Sequence, residues 1–205
     1  METAGYYTMK TPTEKENEAL LLLFKDFASD YNANSISKKL NITPRGALKI
    51  LNNLYSEKTL IRKKLGKAIF YKINFEDTYA KKLIETLLTK ETREKASRWL
   101  SEFEELFEVI QAGLMYGSAV RNYEKAKDID LILIIEKEKY KEISKRIDEK
   151  NRILIKPIHP LIMVSSDLEK NLRNKNPAMI NAIREGYILH GYAEIMEVIS
   201  HVTSF

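Results

Sequence analysis

The sequence predicts an α/β (α+β) protein made of two folded parts that are joined by a helical connector. Two observations support this prediction. Residues 14–73 show three segments with helical spacing followed by two short alternating strands. Residues 106–205 show apolar strands that alternate with helical segments, a pattern that predicts a small mixed sheet with flanking helices. We therefore expect boundaries that divide the chain into residues 1–75, 76–105 and 106–205.

Composition places the chain among ordinary globular proteins. Of its 205 residues, 44% are hydrophobic and 31% are charged, and this length is sufficient to bury a core. The absence of Cys excludes disulfides, thiolate metal sites and Cys nucleophiles. No apolar run approaches the roughly 20 residues that a membrane span needs, and the opening METAGYYTMK lacks an apolar signal segment. We expect a cytoplasmic protein without a membrane partner.

Positive charge is concentrated in one stretch of the sequence. Residues 33–72 contain ten Lys and Arg and a single acid, Glu57, so they carry +9 while the whole chain carries +5. The remainder therefore carries 5 − 9 = −4. A solvated Lys-rich face of the thermophile type is the alternative, but there Glu increases together with Lys. The pattern favours a basic segment that faces a polyanion.

Local signals define the elements of the first part. Helices are predicted over residues 14–31, 36–40 and 44–57, and strands over residues 60–64 and 68–73. Asn34 and Ser35 supply a polar start for the second helix. Thr43 is a suitable N-cap for the third helix, and Pro44 suits its first position. Leu65-Gly66-Lys67 suits the tip of a hairpin between the two strands.

This order of elements resembles the winged helix-turn-helix of bacterial and archaeal regulators of the MarR and ArsR type. The resemblance covers about sixty residues and is carried by SISKKLNITPRGALKILNNLYSEKTLIRKKLGKAIFYKIN. It implies that the third helix enters the major groove of double-stranded DNA while the hairpin lies along the backbone. It further implies that base edges are contacted by Arg45, Lys49 and Asn52 or Asn53. The phosphates would be contacted by Lys63, Lys64 and Lys67. A winged helix used for protein contacts is the alternative.

The connector is predicted to be helical and to have a break. Residues 74–110 show apolar positions at helical spacing, and the polar stretch 89–95 predicts two helices separated there. Trp99, Phe103 and Phe107 are expected to form either core between the two parts or the seam of a dimer. Winged-helix regulators act as two-fold dimers on palindromic sites, so we expect a homodimer.

The second part carries a pair of acids behind a Gly-Ser turn. Asp128 and Asp130 precede a predicted strand at residues 131–135, and a period of two places both on one face. Two carboxylates on one face repel each other unless a cation lies between them, and their oxygens suit Mg²⁺ carrying a nucleoside triphosphate. Gly117 allows the backbone to approach a phosphate, and Ser118 can donate to it. Acids that merely begin a strand are the alternative.

These residues resemble the motif of the polymerase-β-type nucleotidyltransferases, most closely their small minimal members. The match comprises Gly117, Ser118, Arg121, Asp128 and Asp130, within a framework of roughly residues 105–195. The resemblance implies that Asp128 and Asp130 bind the metal and are catalytic, while Gly117, Ser118 and Arg121 bind the nucleotide. An acceptor hydroxyl would attack the α-phosphate and release pyrophosphate.

Two features depart from that family. Its third carboxylate belongs to a neighbouring strand, but the strand predicted here, ILIKPIHPLIMV over residues 153–164, contains no acid. Pro157, His159 and Pro160 stand in that stretch, and His159 is either a substitute base or a structural residue. Lys127, directly before the first acid, would weaken metal affinity.

The remaining segments complete the predicted second part. We expect a helix over residues 138–150, and another that starts near Asp167 with Ser165 or Ser166 as its cap. Helices over residues 179–184 and 193–201 are predicted to frame the stretch EGYILHGY, which resembles the same nucleotidyltransferase family.

Three functions compete at this point. The first is a DNA-binding transcriptional regulator whose nucleotidyltransferase-like half is degenerate or senses a ligand. The second is an active Mg²⁺-dependent enzyme that transfers a nucleoside monophosphate to protein or RNA, which includes an antitoxin-like role. The third is a structural or protein-interaction module.

Overall fold

The computed structural model describes residues 11–203 and confirms a mixed α/β architecture. In these residues no helix is both long and apolar enough to cross a bilayer. The helices are α1 (Glu14–Lys25), α2 (Ala33–Lys39), α3 (Pro44–Ser56), α4 (Thr78–Lys95), α5 (Ser97–Glu102), α6 (Glu104–Phe107), α7 (Ser118–Arg121), α8 (Tyr140–Asn151), α9 (Ser165–Arg173), α10 (Pro177–Glu185) and α11 (Tyr192–Val202). The strands are β1 (Leu60–Leu65), β2 (Ala68–Ile73), β3 (Ala112–Tyr116), β4 (Ile129–Ile134), β5 (Ile158–Met163) and β6 (Tyr187–His190).

Residues 14–73 form a winged helix-turn-helix, with β1 and β2 paired antiparallel as the wing. The prediction for α3 is confirmed, since Thr43 caps the helix by accepting from the Gly46 amide and Pro44 occupies its first turn. The predicted start of α2 at residue 36 is wrong by three residues, because the helix begins at Ala33. Asn32 caps α2 in a reciprocal pair of hydrogen bonds with Ser35.

The predicted end of α1 is also wrong, because the helix stops at Lys25 instead of continuing to Tyr31. A turn begins at Asp26, and the Asp26 carboxylate accepts hydrogen bonds from the Ser29 and Tyr31 hydroxyls. The Tyr31 backbone then pairs with Tyr71 of β2 as a third, one-residue strand of the wing sheet. That pairing requires extended backbone at Tyr31. The segment after Lys25 therefore leaves the helix, although its sequence favours one locally.

The connector begins with a helix, α4, that includes the polar stretch 89–95 near which a break was predicted. The break comes at Ala96, directly after that stretch, and the short helices α5 and α6 follow, so the prediction is confirmed to within one residue. Within the stretch, Glu91 and Thr92 are buried rather than solvated. The Thr92 hydroxyl donates to the Ile188 carbonyl at 2.7 Å, so this part of α4 is held by tertiary contacts.

Two connector aromatics, Trp99 and Phe103, form intramolecular core, so the dimer-seam interpretation is wrong for these two. Trp99 and Phe103 stack with ring centroids 5.6 Å apart, and both are buried against the four-stranded sheet. Phe107 stacks on His190 at 5.1 Å. Because the Trp99 and Phe103 rings are covered by the same chain, a second copy would have to use other residues, whereas Phe107 is only partly buried.

The second sheet has the strand order β5-β4-β3-β6. β3 is antiparallel to both β4 and β6, whereas β4 and β5 are parallel. The sequence missed β6, because a four-residue strand between Gly186 and Gly191 is too short to show a period. Side chains of β4 alternate between two buried clusters, so both faces of the sheet are covered.

Three further boundaries in this part differ from the predictions. β4 begins at Ile129, so that Asp130 belongs to the strand and Asp128 precedes it. β5 begins at Ile158, and residues 153–157 lead into it as an irregular segment. α9 begins at Ser165 with Val164 as N-cap and no side-chain capping bond, because the Ser165 hydroxyl instead donates to Glu194 of α11.

A buried ion pair joins the winged helix to the connector and the sheet. Lys25 at the end of α1 lies 2.9 Å from Glu91 of α4, and it also donates to the Gly186 carbonyl before β6 at 2.8 Å. Both side chains are nearly buried, with 13% and 10% of their areas exposed. A second link runs from Asp26 to Arg184 of α10 at 2.7 Å. One continuous core cluster accompanies these links, extending from α1 to α11.

We predict that Glu91→Gln lowers the free energy of unfolding by about 2 kcal/mol, because the Lys25 ammonium stays buried without its counter-charge. The matched control is Glu94→Gln, whose carboxylate is 58% exposed and 3.7 Å from Lys90. This control should change stability by no more than about 0.5 kcal/mol. Urea unfolding of both variants measures the difference, and equal losses would contradict a structural role for the buried pair.

Candidate functional site

The third helix of the winged helix-turn-helix presents an exposed polar face. Ala47, Leu51 and Leu54 anchor α3 in the core. The opposite face, at helical spacing, consists of the exposed residues Arg45, Leu48, Lys49 and Asn52. The predicted base-contacting residues Arg45, Lys49 and Asn52 therefore share one accessible surface. Leu48, 42% exposed, lies among them and was not predicted.

The wing lies directly beside the end of α3. The Arg62 guanidinium stacks over the Tyr55 ring at 4.0 Å from its centroid. The Tyr71 hydroxyl donates to Asn52 at 3.3 Å. The outward face of α3 and the near face of β1 therefore form one surface. Sequence reasoning overlooked Arg62, because its stacking on an aromatic residue of another element has no local signature.

Asn53 has a structural role that sets it apart from Asn52. Its amide donates to Glu16 of α1 at 3.1 Å, which clamps α1 to α3. Burial raises the pKa of Glu16, but hydrogen bonds from the Thr13 backbone, Asn53 and the Thr13 side chain outweigh it and hold that pKa below its usual value. Asn53 is nevertheless exposed and lines the same surface groove as Asn52 and Lys49, so both predicted Asn contacts lie at the outward surface.

The predicted phosphate-contacting lysines are divided between the two faces of the wing. Lys64 follows Arg62 by two residues and shares its face, whereas Lys63 points to the other. On that other face, Lys63 lines a cavity of about 300 Å³ together with residues of α9 and the turn after it, including Arg173 and Lys175. Lys67 is exposed in the turn. Strand alternation therefore turns Lys63 towards the second part of the chain.

In the second part, three side chains meet in one row across the four-stranded sheet. Asp130 of β4 is paired in register with Tyr116 of β3 and with His159 of β5. His159 Nδ1 lies 3.3 Å from Asp130 Oδ1. Ligand atoms of Asp128, Asp130 and His159 all lie within 4.8 Å of one another. The two predicted acids therefore converge, and His159 is the residue of its strand that joins them.

The Gly117 turn contacts the same acids. Gly117 has φ of 79°, and a Cβ atom there would collide with Asp130 Oδ2. Burial raises the pKa of Tyr116, and the neighbouring Asp130 and Asp128 raise it further. Ser118 is exposed at the start of α7. The structure thus brings the predicted Gly-Ser turn to the acids.

Arg121 and Lys127 occupy other surroundings. Arg121 pairs with Glu185 of α10 at 2.9 Å, and their side chains are 65% and 52% exposed. Lys127 is exposed in the segment before Asp128. The predicted nucleotide contact of Arg121 would compete with Glu185 for this exposed guanidinium.

Lys156 is a supporting residue that the sequence did not reveal. Its ammonium donates to the carbonyls of Tyr123, Glu124 and Ala126, in the loop that leads to Asp128. It also lies 4.5 Å from the centroid of the Tyr123 ring. These contacts span about thirty residues of chain, so no local pattern could have indicated them. Lys156 fixes the approach to the first acid.

The donor set can hold a divalent cation. Two carboxylates supply the hard oxygen ligands that Mg²⁺ takes, while imidazole is a ligand of Zn²⁺ and similar ions. Among residues 11–203, His159 completes the group where the nucleotidyltransferase resemblance implies a third carboxylate. The two carboxylates therefore fit the expected Mg²⁺, but the imidazole of His159 does not.

The sequence matches no protein-family model and no curated protein sequence. Among solved structures, it resembles the adhesin competence repressor AdcR of Streptococcus pyogenes at 17% identity and a TM-score of 0.34, covering 45% of this chain and 66% of that chain, just under two thirds. It also resembles two variants of Lactococcus lactis ZitR, each with a TM-score of 0.32. One is 17% identical over 52% of this chain and 67% of that chain, and the other is 16% identical over 73% and 80%. TM-scores this low do not establish a common fold.

We predict that Gly117→Ala displaces the Asp130 carboxylate and destabilises the protein, because the backbone at φ of 79° is strained for any L side chain. The expected loss of unfolding free energy is about 1–3 kcal/mol, measured by thermal or urea unfolding. Gly66→Ala is the matched control. Its φ is 61°, but nothing lies within 4 Å of the added Cβ, so only the backbone strain remains. A loss no larger than that of Gly66→Ala would contradict the close packing against Asp130.

Proposed function

We propose that the protein is a transcriptional regulator whose winged helix-turn-helix binds double-stranded DNA. The observation that carries this proposal is the outward surface formed by α3 and the wing. Arg45, Lys49 and Arg62 lie on it, and residues 33–72 carry a net charge of +9. A helix with an exposed polar face beside a basic hairpin suits insertion into the major groove with the wing on the backbone.

The charge distribution favours DNA over a protein partner. Each phosphate neutralised by Lys or Arg releases counterions, which makes a basic surface bind nucleic acid strongly at low salt. Leu48 adds an apolar side chain among the polar ones, and such groups contact the thymine methyl in the major groove. A homodimer on a palindromic site remains the expected assembly, with Trp99 and Phe103 excluded from its interface by their burial.

Contacts through α10 support a sensing role for the second part. Glu185 pairs with Arg121 beside the Gly117 turn, and the preceding residue Arg184 pairs with Asp26 of the winged helix. A ligand that recruits Arg121 would release Glu185 and alter the helix that holds α1. The absence of a third acid in the described group is consistent with sensing rather than catalysis.

For DNA binding, we predict that replacing Arg62 and Lys64 with Gln weakens association with a duplex pool and lowers its salt slope by about 2, one unit for each lost phosphate contact. The matched comparison is Lys64→Gln alone against Lys63→Gln, which also removes one charge but from the opposite face of the same strand. Fluorescence anisotropy at several salt concentrations measures both.

The expected order is a larger loss for Lys64→Gln than for Lys63→Gln. A second control replaces Lys137, Lys141 and Lys145, exposed in the second part, and should leave binding nearly unchanged. The proposal would be contradicted if the protein bound no duplex at low salt. It would also be contradicted if all these substitutions weakened duplex binding equally.

A second candidate function is Mg²⁺-dependent nucleotidyl transfer to protein or RNA, including an antitoxin-like role. It is favoured by one observation, the packing of Gly117 against Asp130 with Asp128 close by. When bound, the metal would stabilise charge on the triphosphate and the leaving pyrophosphate. Asp128 and Asp130 would hold it, Gly117 and Ser118 would lie against the phosphates, and His159 would accept the proton of the acceptor hydroxyl.

We predict for this candidate that α-labelled nucleoside triphosphate and Mg²⁺ transfer label to a protein or RNA acceptor in a lysate. Transfer should fall at least about 100-fold in Asp128→Asn and Asp130→Asn, since each removes a metal ligand. Asp167→Asn, an exposed acid at the start of α9, is the control. Label transfer that persists in both Asn variants would refute this candidate while leaving the DNA-binding proposal intact.

A further inference from the structure

We propose that Asp128, Asp130 and His159 form a binding site for one zinc-type divalent cation, which the site takes in preference to Mg²⁺. This proposal does not depend on DNA binding or on nucleotidyl transfer. It rests on the side chains that the β4 and β5 register brings together.

The donor chemistry distinguishes zinc-type ions from magnesium. Mg²⁺ takes oxygen ligands and usually retains several waters, whereas imidazole nitrogen suits Zn²⁺, Fe²⁺, Ni²⁺ and Cu²⁺. A site of three N and O protein ligands with one open position is the usual arrangement of non-structural zinc sites. Asp128, Asp130 and His159 supply such a set, and the chain has no Cys to compete for the ion.

The spacing of the ligand atoms fits a four-coordinate ion. Zn²⁺ holds N and O ligands at roughly 2.0–2.2 Å, so neighbouring ligand atoms of a tetrahedron lie about 3.3–3.6 Å apart. The His159 Nδ1 to Asp130 Oδ1 distance is 3.3 Å. All three ligand atoms lie within 4.8 Å of one another, so small side-chain rotations bring the third into place.

The neighbouring residues hold the two acids in position and leave the site accessible to solvent. Asp130 is held against Gly117 and is only 19% exposed, whereas the His159 side chain is 73% exposed. Lys156 fixes the loop before Asp128 through three carbonyls. The acids are thus positioned by the fold, and the exposed imidazole can close on an ion that enters from solvent.

An alternative explanation is an ordinary hydrogen bond or ion pair between His159 and Asp130. The chain contains an internal comparison for it. His201 Nδ1 lies 3.3 Å from Glu169 Oε2, with its side chain 50% exposed. In residues 11–203 that pair lacks a third ligand within the same reach. The two histidines therefore differ in the feature that a metal site requires.

The test uses untagged, chelator-treated full-length protein titrated calorimetrically with Zn²⁺ and, separately, with Mg²⁺. We expect one Zn²⁺ per chain, bound at least about 100-fold more tightly than Mg²⁺. His159→Ala should weaken Zn²⁺ binding by at least about tenfold while leaving weak Mg²⁺ binding unchanged, because only zinc uses the imidazole. His201→Ala should leave Zn²⁺ binding unchanged.

A spectroscopic measurement identifies the ligand directly. The chain has three His, so side-chain nitrogen NMR resolves each imidazole, and Zn²⁺ should shift the His159 resonances but not those of His190 or His201. Far-ultraviolet dichroism and thermal unfolding of His159→Ala establish that the exposed substitution leaves the fold intact. Equal affinities for Zn²⁺ and Mg²⁺, or Zn²⁺ binding unaffected by His159→Ala, would overturn the proposal. Shifts at His201 instead of His159 would also overturn it.

Discussion

The ammonium of Lys25 is the point at which the three parts of this structure meet. It lies between the Glu91 carboxylate of α4 and the Gly186 carbonyl that precedes β6. Burial lowers the pKa of Lys25, and Glu91 opposes that shift by stabilising the charged form. A buried charge tolerates little change in its surroundings, because moving either acceptor away leaves it without compensation. The winged helix is therefore fixed on the connector and on the edge strand of the sheet.

Both candidate sites are attached to this fixed frame. The outward surface proposed to bind DNA belongs to α3 and the wing, whereas Asp130 lies in β4 and Asp128 directly precedes that strand. Helix α10 lies between them, with consecutive residues Arg184 and Glu185 paired to Asp26 and Arg121. The second face of the wing is also turned to the second part, through the cavity that Lys63 lines. Physical contacts thus connect the sheet site with the outward surface of α3 and the wing.

The sequence predicted those elements whose signals are local. α3 was found because Thr43 and Pro44 mark its start and its apolar residues keep helical spacing. The wing hairpin was found because alternation and Gly66 lie within a few residues of one another. Elements fixed by distant contacts were missed or misplaced. β6 exists because it pairs with β3, and α1 stops at Lys25 because Tyr31 pairs with Tyr71.

For the candidate sites, the sequence by itself determined the basic winged helix and the Gly-Ser turn followed by two acids. Those features depend on residue types at short spacing, and such spacing can be read directly from the sequence. Only the tertiary structure decided that His159 joins Asp128 and Asp130, that Lys63 lines a cavity with residues of α9, and that Asn53 clamps α1. Each depends on register or packing between residues far apart in the chain, such as the 29 residues that separate Asp130 from His159. Local preference does not encode that register, because it follows from how the buried faces of the strands fit together.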